Sequence, residues 1–281
     1  MQAIGEMYMA DRDKLELKNG NDICIKIDKA ENPKATVLIN HGFAEHLGRY
    51  DYVSDRLNES GYNVYRYDLR GHGKTGKRGH IESYREFIDD LKDMVDTIKS
   101  YGEDNIFMLG HSMGGLISFI YGLEFQDILK GQILSGAAVG KLPAVKGFKT
   151  PLYNFANVFF KNTMIKNPIS DDLCSDSAVV VDYREDPLVL QEASMNFYVE
   201  FLIKAANYAE DNMEMYTYPC LILHGEKDNI VPKEIAEKLY SNIASEDKEI
   251  KIYDGLYHEI LNEKNRDEII ADIVTWMDRR I

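Results

Sequence analysis

Apolar segments alternate with amphipathic segments along most of the chain, which predicts strands that alternate with helices. Short apolar or β-branched runs that end at turn-forming residues predict buried strands over 35–40, 62–68, 106–109, 131–137, 220–223 and 249–253. Helical spacing predicts helices over 50–60, 87–101, from 114 onward, 233–243 and 267–280. Alternating strands and helices imply a mostly parallel sheet with helices on both faces. Its ligand site is expected at the carboxyl ends of the strands.

Two parts of the chain depart from this rhythm. Residues 14–28 hold two short alternating runs around Lys18-Asn-Gly-Asn-Asp22, which predicts a β-hairpin. From about Lys141 to Tyr216 no alternating strand is visible, and we interpret this stretch as a mainly helical insertion. The predicted fold class is therefore α/β, with a core over 1–140 and 217–281 and an inserted helical cap over 141–216.

The segment Asn105–Leu116 contains the strongest chemical signal. A short apolar run leads into Gly110-His-Ser-Met-Gly114, and a second apolar run, Leu116–Leu123, follows it. A G-x-S-x-G between a strand and a helix is typical of a nucleophile elbow, in which the serine hydroxyl projects from the top of the sheet. A Cβ at Gly110 or Gly114 is expected to collide with neighbouring backbone in so sharp a turn. The alternative is a serine in an ordinary glycine-rich turn.

Composition and charge narrow the function classes. The chain has 281 residues, is 44% hydrophobic, and carries a formal charge of −14, which disfavours nucleic acid and anionic membranes as main partners. The charge does not oppose transient membrane contact through an apolar patch of the cap. No apolar run is long enough to span a bilayer, and no secretory signal is visible at the start. The three cysteines, Cys24, Cys174 and Cys220, are simplest to interpret as reduced thiols of a cytoplasmic protein.

A serine nucleophile needs a base, and the base needs an acid that orients it. Asp228 follows a predicted late strand, and His258 follows the last one, in the chain order Ser112, Asp228, His258. Taken singly, Asp228 is more simply interpreted as a turn or helix-start residue, and His258 is equally well interpreted as a histidine of a surface loop. Glu226 is an alternative acid, although it comes early after its strand. The order and the positions of all three together favour a catalytic triad.

An oxyanion hole requires two backbone N–H donors. We expect one from Met113, directly after the nucleophile, and one from Phe43 in the early loop that contains Gly42. The histidines have no familiar metal-ligand spacing, so we predict neither a metal nor another cofactor. The loop Gly71–Gly76 lacks the spacing of a phosphate-binding loop.

With these residues identified, the sequence resembles the monoacylglycerol lipase and lysophospholipase group of α/β-hydrolases, in the serine aminopeptidase-like branch. The resemblance covers nearly the whole chain. The segments that carry it are His41–Tyr50, Asp68–Gly76, Gly110–Gly115, Lys251–His258 and, in the insertion, Asp182–Leu188.

The resemblance implies the α/β-hydrolase fold, the triad Ser112-Asp228-His258 and a cap that shapes an acyl-chain tunnel. It also implies that Glu45 and Arg49 hold the glycerol end of the substrate, with Tyr183 nearby. A surface ion pair is the alternative for Glu45 and Arg49. Candidates for the tunnel wall are Phe155, Phe159, Phe160 and Met164, which are also readable as core.

One position departs from the group. Mammalian members carry a second histidine three residues after the catalytic one, where this chain has Leu261. An alcohol other than glycerol is therefore an alternative leaving group.

The hypothesis drawn from the sequence is a serine carboxylic-ester hydrolase that acts on monoacylglycerol-like small-molecule lipid esters. The alternatives are a short-chain or aryl esterase, a lysophospholipase and, in another class, a non-catalytic binding protein with the same fold. An aminopeptidase is less favoured, because it usually needs acidic groups that bind the substrate's free amine. The sequence gives no oligomeric state.

Overall fold

The computed structural model describes residues 14–126, 128–142, 149–167 and 171–281. Within them the strands are β1 (Lys14–Glu16), β2 (Asp22–Asp28), β3 (Ala35–Asn40), β4 (Tyr62–Tyr67), β5 (Ile106–His111), β6 (Gly131–Ser135), β7 (Met164–Lys166), β8 (Glu192–Ser194), β9 (Cys220–Gly225) and β10 (Lys248–Tyr253).

The helices in the same residues are α1 (Asp51–Glu59), α2 (Arg85–Ser100), α3 (Met113–Glu124), α4 (Lys149–Phe160), α5 (Ser177–Glu185), α6 (Met195–Val199), α7 (Ala206–Asp211), α8 (Lys233–Asn242) and α9 (Arg266–Asp278). A π-helical turn, Glu200–Ala205, joins α6 to α7. Short 3₁₀ turns cover Leu47–Tyr50, Asp171–Leu173, Met213–Met215 and Ile260–Asn262.

The central sheet has the strand order β1-β2-β4-β3-β5-β6-β9-β10. The hairpin strands β1 and β2 pair antiparallel, as do β2 and β4, and every other neighbouring pair is parallel. All residues of β3, β4, β5, β6 and β9 are buried. Burial along the whole strand follows from helices on both faces of a parallel sheet. The carboxyl ends of these strands therefore meet at one edge, where the elbow lies.

Two apolar clusters fill the two sides of the sheet. One includes residues of α2, α3 and α8, and the other includes residues of α1 and α9. Trp276 of α9, the only tryptophan in the sequence, is 1% exposed in the second cluster. Its ring meets Phe107 of β5 edge-on at 6.0 Å, and the Arg280 guanidinium lies 3.9 Å above it. The second cluster includes no described residue from 141–216.

The segment between β6 and β9 contains helices α4 to α7 and a two-stranded antiparallel sheet of β7 and β8. It is joined to the core by backbone hydrogen bonds. Leu190 N donates to Ala44 O at 2.8 Å, and Ser194 N donates to Gly79 O at 2.8 Å. The sequence predicted no strand here, because three-residue strands are too short to show an alternating pattern. That residues 141–216 form a cap stays a prediction.

The predicted α/β class is confirmed, and each predicted core strand and the hairpin are present. The boundaries differ by a few residues; β5, for instance, continues to His111. None of the helices in the described ranges has the length and apolar character needed to cross a bilayer.

Candidate active site

Ser112 lies in the turn between β5 and α3 in a conformation that residues with a Cβ rarely adopt. Its φ is 51° and its ψ is −115°. A Cβ added at Gly110 would lie 2.5 Å from the Gly114 carbonyl oxygen, and one added at Gly114 would collide with the carbonyl oxygens of Asn40 and His41. The two glycines are therefore required by the elbow, as the sequence predicted.

Asp228 and His258 come together from the loops after β9 and β10. His258 Nδ1 lies 2.7 Å from Asp228 Oδ2, and both side chains are buried. Asp228 Oδ1 accepts hydrogen bonds from the amides of Ile230 and Val231 at 2.9 and 2.8 Å. His224 Nε2 lies 3.1 Å from Oδ2 on another side. The carboxylate is thus held rigidly and orients the imidazole of His258.

The surroundings of this pair set its protonation. Burial opposes ionisation of Asp228, but His258 and His224 hold its pKa well below the ordinary value. Burial also opposes the charged form of His258, and Asp228 outweighs it, so the pKa of His258 is raised. Asp228 therefore remains a carboxylate, and His258 is able to accept a proton near neutral pH. Glu226, the alternative acid, is exposed and accepts a hydrogen bond from Gly255 N at 3.0 Å instead.

A cavity of about 110 Å³ lies beside Ser112 and His258. Its described lining residues are Gly42, Phe43, Glu45, His111, Ser112, Asn167, Leu173, Tyr183, Ile230, His258 and Glu259. The hydrogen bonds among the described residues do not include one between Ser112 Oγ and His258 Nε2. Such catalytic bonds are often long or misaligned until substrate binds. Both groups nevertheless face one small space.

The two expected oxyanion donors come from two loops: Phe43 lies in the loop after β3, and Met113 directly follows Ser112 at the start of α3. In the part of the chain that the structure describes, neither the Phe43 amide nor the Met113 amide donates to a protein acceptor. Ala44 has a φ of 69°, an unusual value for alanine, and its carbonyl accepts the Leu190 bond from the insertion.

Glu45 lines the cavity and forms a buried ion pair with Arg49 beside it. Arg49 Nη1 donates to Glu45 Oε2 at 2.8 Å, and the guanidinium lies 4.6 Å above the Tyr183 ring. Glu45 Oε1 also accepts from Tyr50 Oη at 2.8 Å and from Gly42 N at 2.5 Å. The side chains of Arg49 and Glu45 are 10% and 3% exposed, so the surface ion pair considered from the sequence is not what forms.

Two groups that line the cavity were not anticipated. Glu259, next to His258, binds Arg49 and lines the cavity. His111, next to Ser112, also lines it and has its ring 4.8 Å from that of His258. The sequence offered one signal for Glu259: it is a charged residue between the predicted base, His258, and two apolar residues, Ile260 and Leu261. Leu261 is buried and lines an adjoining void with Arg49.

The proposed tunnel-wall aromatics are not brought to this cavity. Phe155, Phe159 and Phe160 of α4 are 66%, 67% and 59% exposed, and none lines the cavity beside Ser112. The sequence pattern predicted an apolar face for this helix, but it did not indicate which part of the protein packs against that face. The described residues contain no cluster of groups able to hold a metal ion.

Comparisons with known proteins show which proteins the chain is similar to. A family model described as serine aminopeptidase, S33, matches residues 31–265. The chain is 32% identical to a monoacylglycerol lipase of Mycolicibacterium smegmatis over 88% of this chain and 89% of the relative. It is 29% identical to phospholipase YtpA of Bacillus subtilis over 90% of this chain and 98% of that protein.

Among solved structures, the monoacylglycerol lipase of Paleococcus ferrophilus superposes with a TM-score of 0.83 at 28% identity. That match covers 92% of this chain and 99% of the solved one. The family match, the relatives and the α/β-hydrolase architecture all point the same way. The chain belongs to the serine aminopeptidase S33 family of hydrolases.

Proposed function

We propose that the protein is a serine carboxylic-ester hydrolase that acts on monoacylglycerol-like lipid esters. The observation that carries the proposal is the buried Asp228–His258 pair at 2.7 Å, which faces one cavity together with the strained Ser112. The relatives named monoacylglycerol lipase and phospholipase support a lipid ester as the substrate class.

In the proposed acylation, His258 Nε2 takes the Ser112 hydroxyl proton while Oγ attacks the ester carbonyl. The amides of Phe43 and Met113 stabilise the tetrahedral oxyanion, and Asp228 stabilises the imidazolium. Collapse of the intermediate breaks the bond to the alcohol, which leaves with the proton from His258. The product is an acyl-serine.

Deacylation repeats these roles with water as the nucleophile. His258 takes a proton from water, hydroxide adds to the acyl carbon, and the same amides hold the second oxyanion. Ser112 then leaves and recovers its proton from His258. The sum is one ester and one water converted to one acid and one alcohol.

Glu45, Arg49 and Tyr183 are proposed to surround the alcohol end. The proposal is supported by Glu45 and Tyr183 in the lining of the cavity and by the contacts of Arg49 with both. The acyl chain would extend towards the cap, where Phe159 remains a candidate contact. We also propose transient membrane contact through exposed apolar residues of α4 and, given the odd number of cysteines, a cytoplasmic location.

A short-chain esterase is the second candidate, and the cavity size favours it. The space beside Ser112 is about 110 Å³, whereas pockets for drug-sized ligands are roughly 300–1,000 Å³. A medium or long acyl chain would need space beyond this cavity.

The decisive test is Ser112→Ala, assayed with glycerol esters from acetate to palmitate and with lysophosphatidylcholine and a diacylglycerol. We expect the variant to lose at least about 10³-fold in kcat, because the nucleophile is gone. Ser241→Ala, at an exposed position of α8, should retain wild-type rates. A Ser112→Ala enzyme with most of its activity would refute the proposal, and a preference for acetate would favour the short-chain candidate.

A further inference from the structure

Glu259 is a buried carboxylate directly beside the proposed base. Its side chain is 5% exposed. Both oxygens accept from Arg49, Oε1 from Nη1 at 2.6 Å and Oε2 from Nη2 at 2.7 Å, and Asn262 Nδ2 donates to Oε2 at 2.9 Å. Arg49 and Glu259 therefore form a bidentate ion pair, which fixes the orientation of the guanidinium.

The same guanidinium also donates a hydrogen bond to Glu45, from Nη1 to Oε2 at 2.8 Å. Burial raises the pKa of Glu45, but Arg49 and the neighbouring histidines lower it to about 2, so the group is ionised at neutral pH. Two carboxylates therefore share one cation. The buried cluster Glu45–Arg49–Glu259 carries one uncompensated negative charge.

No other cation offsets this charge among the described residues that line the cavity. The lining contains both carboxylates of the cluster and neither lysine nor arginine. His111 lines the same cavity. Burial together with His258 lowers its pKa to about 4, so it is neutral at pH 7. The charge that His258 acquires during catalysis is paired with Asp228.

We propose that Glu259 sets the charge specificity of the alcohol end of the site, so that esters of uncharged alcohols are cleaved and esters of alcohols bearing phosphate are rejected. This inference rests on the proposed ester hydrolysis at Ser112. Without Glu259, Arg49 would face the alcohol end with one partner and could pair with a phosphate. With Glu259 in place, a phosphate at this end meets net negative charge.

Coulomb's law gives the size of the effect. Like charges about 5 Å apart, at an effective dielectric constant of about 20, repel enough to lower binding on the order of 100-fold. The rejection should therefore be visible in kcat/KM for two esters with the same acyl chain.

The experiment compares 1-octanoylglycerol with 1-octanoylglycerol 3-phosphate in the wild-type enzyme and in Glu259→Gln. We expect wild type to prefer the uncharged ester by on the order of 100-fold in kcat/KM. In Glu259→Gln, which keeps the side-chain size and leaves Arg49 paired with Glu45, the preference should fall by at least about 10-fold. The change should come from faster cleavage of the phosphate ester.

The matched control is Glu263→Gln. Glu263 is also a buried carboxylate near this loop, but it accepts from the amides of Ser175 and Tyr257 and does not bind Arg49. Its variant should keep the wild-type preference.

Equal kcat/KM for the two esters in wild type, or an unchanged preference in Glu259→Gln, would overturn the inference while leaving ester hydrolysis intact. A wild-type ratio near one overturns the inference even if Glu259→Gln does not fold. Loss of the proposed function looks different. Wild type would then cleave neither ester and would not react with a fluorophosphonate probe, and both proposals would fall together.

Discussion

His258 must be neutral to accept the proton of Ser112, so the protonation of this one residue controls the proposed rate. Asp228 raises the pKa of His258 above its ordinary value of 6.5, against the opposing effect of burial. Activity should therefore rise with pH as His258 loses its proton, with an apparent pKa above 6.5.

In Asp228→Asn the residual kcat/KM should rise at lower pH than in wild type, because the carboxylate that favours the imidazolium is gone. Measuring kcat/KM on the same ester between about pH 5 and pH 9, a range that covers the titration of a histidine, checks this shift. Asp254→Asn removes an exposed carboxylate of the preceding loop and should leave the profile unchanged. Identical profiles for Asp228→Asn and wild type would contradict the assignment of acid and base.

Glu45 links the site to stability at low pH. Its ordinary pKa is 4.5, and the folded protein lowers it to about 2, mainly through Arg49 acting against burial. A carboxyl group with a depressed folded pKa stabilises the fold fully above its unfolded pKa, and this contribution is lost as pH falls towards the folded pKa.

The difference in unfolding free energy between wild type and Glu45→Gln should therefore contain a pH-dependent part of about 3 kcal/mol, which is present at pH 7 and is lost between about pH 4.5 and pH 2. Urea unfolding at several pH values measures it. A difference that stays constant down to pH 3 would mean that the ionised carboxylate is not the stabilising species.

At the scale of the element, helix α4 has one attached side and one exposed side. Asn157 Nδ2 donates to Asn196 Oδ1 of α6 at 2.8 Å. Val158 is 73% exposed, in addition to Phe155, Phe159 and Phe160 described above. Exposed apolar side chains grouped on one helix are typical of an interaction surface, and a lipid ester substrate makes a lipid surface the proposed partner.

The double variant Phe155→Ser/Phe159→Ser should bind zwitterionic phosphatidylcholine vesicles at least about fivefold more weakly than wild type, because apolar area that enters the bilayer is lost. Co-sedimentation with vesicles gives the bound fraction. Tyr101→Ser removes an aromatic ring that is 43% exposed at the end of α2 and should not change binding. Equal sedimentation of all three proteins would exclude α4 as the contact.

Across the whole molecule, the local sequence pattern was enough to predict the buried strands and the order of strands and helices. Fully buried parallel strands give continuous apolar runs, and the order of the elements then placed Ser112, Asp228 and His258 at the carboxyl edge of one sheet. The partnership of Arg49 with Glu259 spans 210 positions along the chain, so no periodicity reveals it. The exposure of Phe159 likewise depends on what packs against α4, which an apolar stripe does not specify.

The single tryptophan has a practical consequence for following this protein in solution. Trp276 of α9 packs against β5, in the apolar cluster that contains none of the described residues of the inserted segment. Its fluorescence will therefore report the docking of the last helix on the sheet, and a movement of the inserted segment will leave the spectrum unchanged. A second tryptophan introduced at Phe159 would give the two regions separate optical signals.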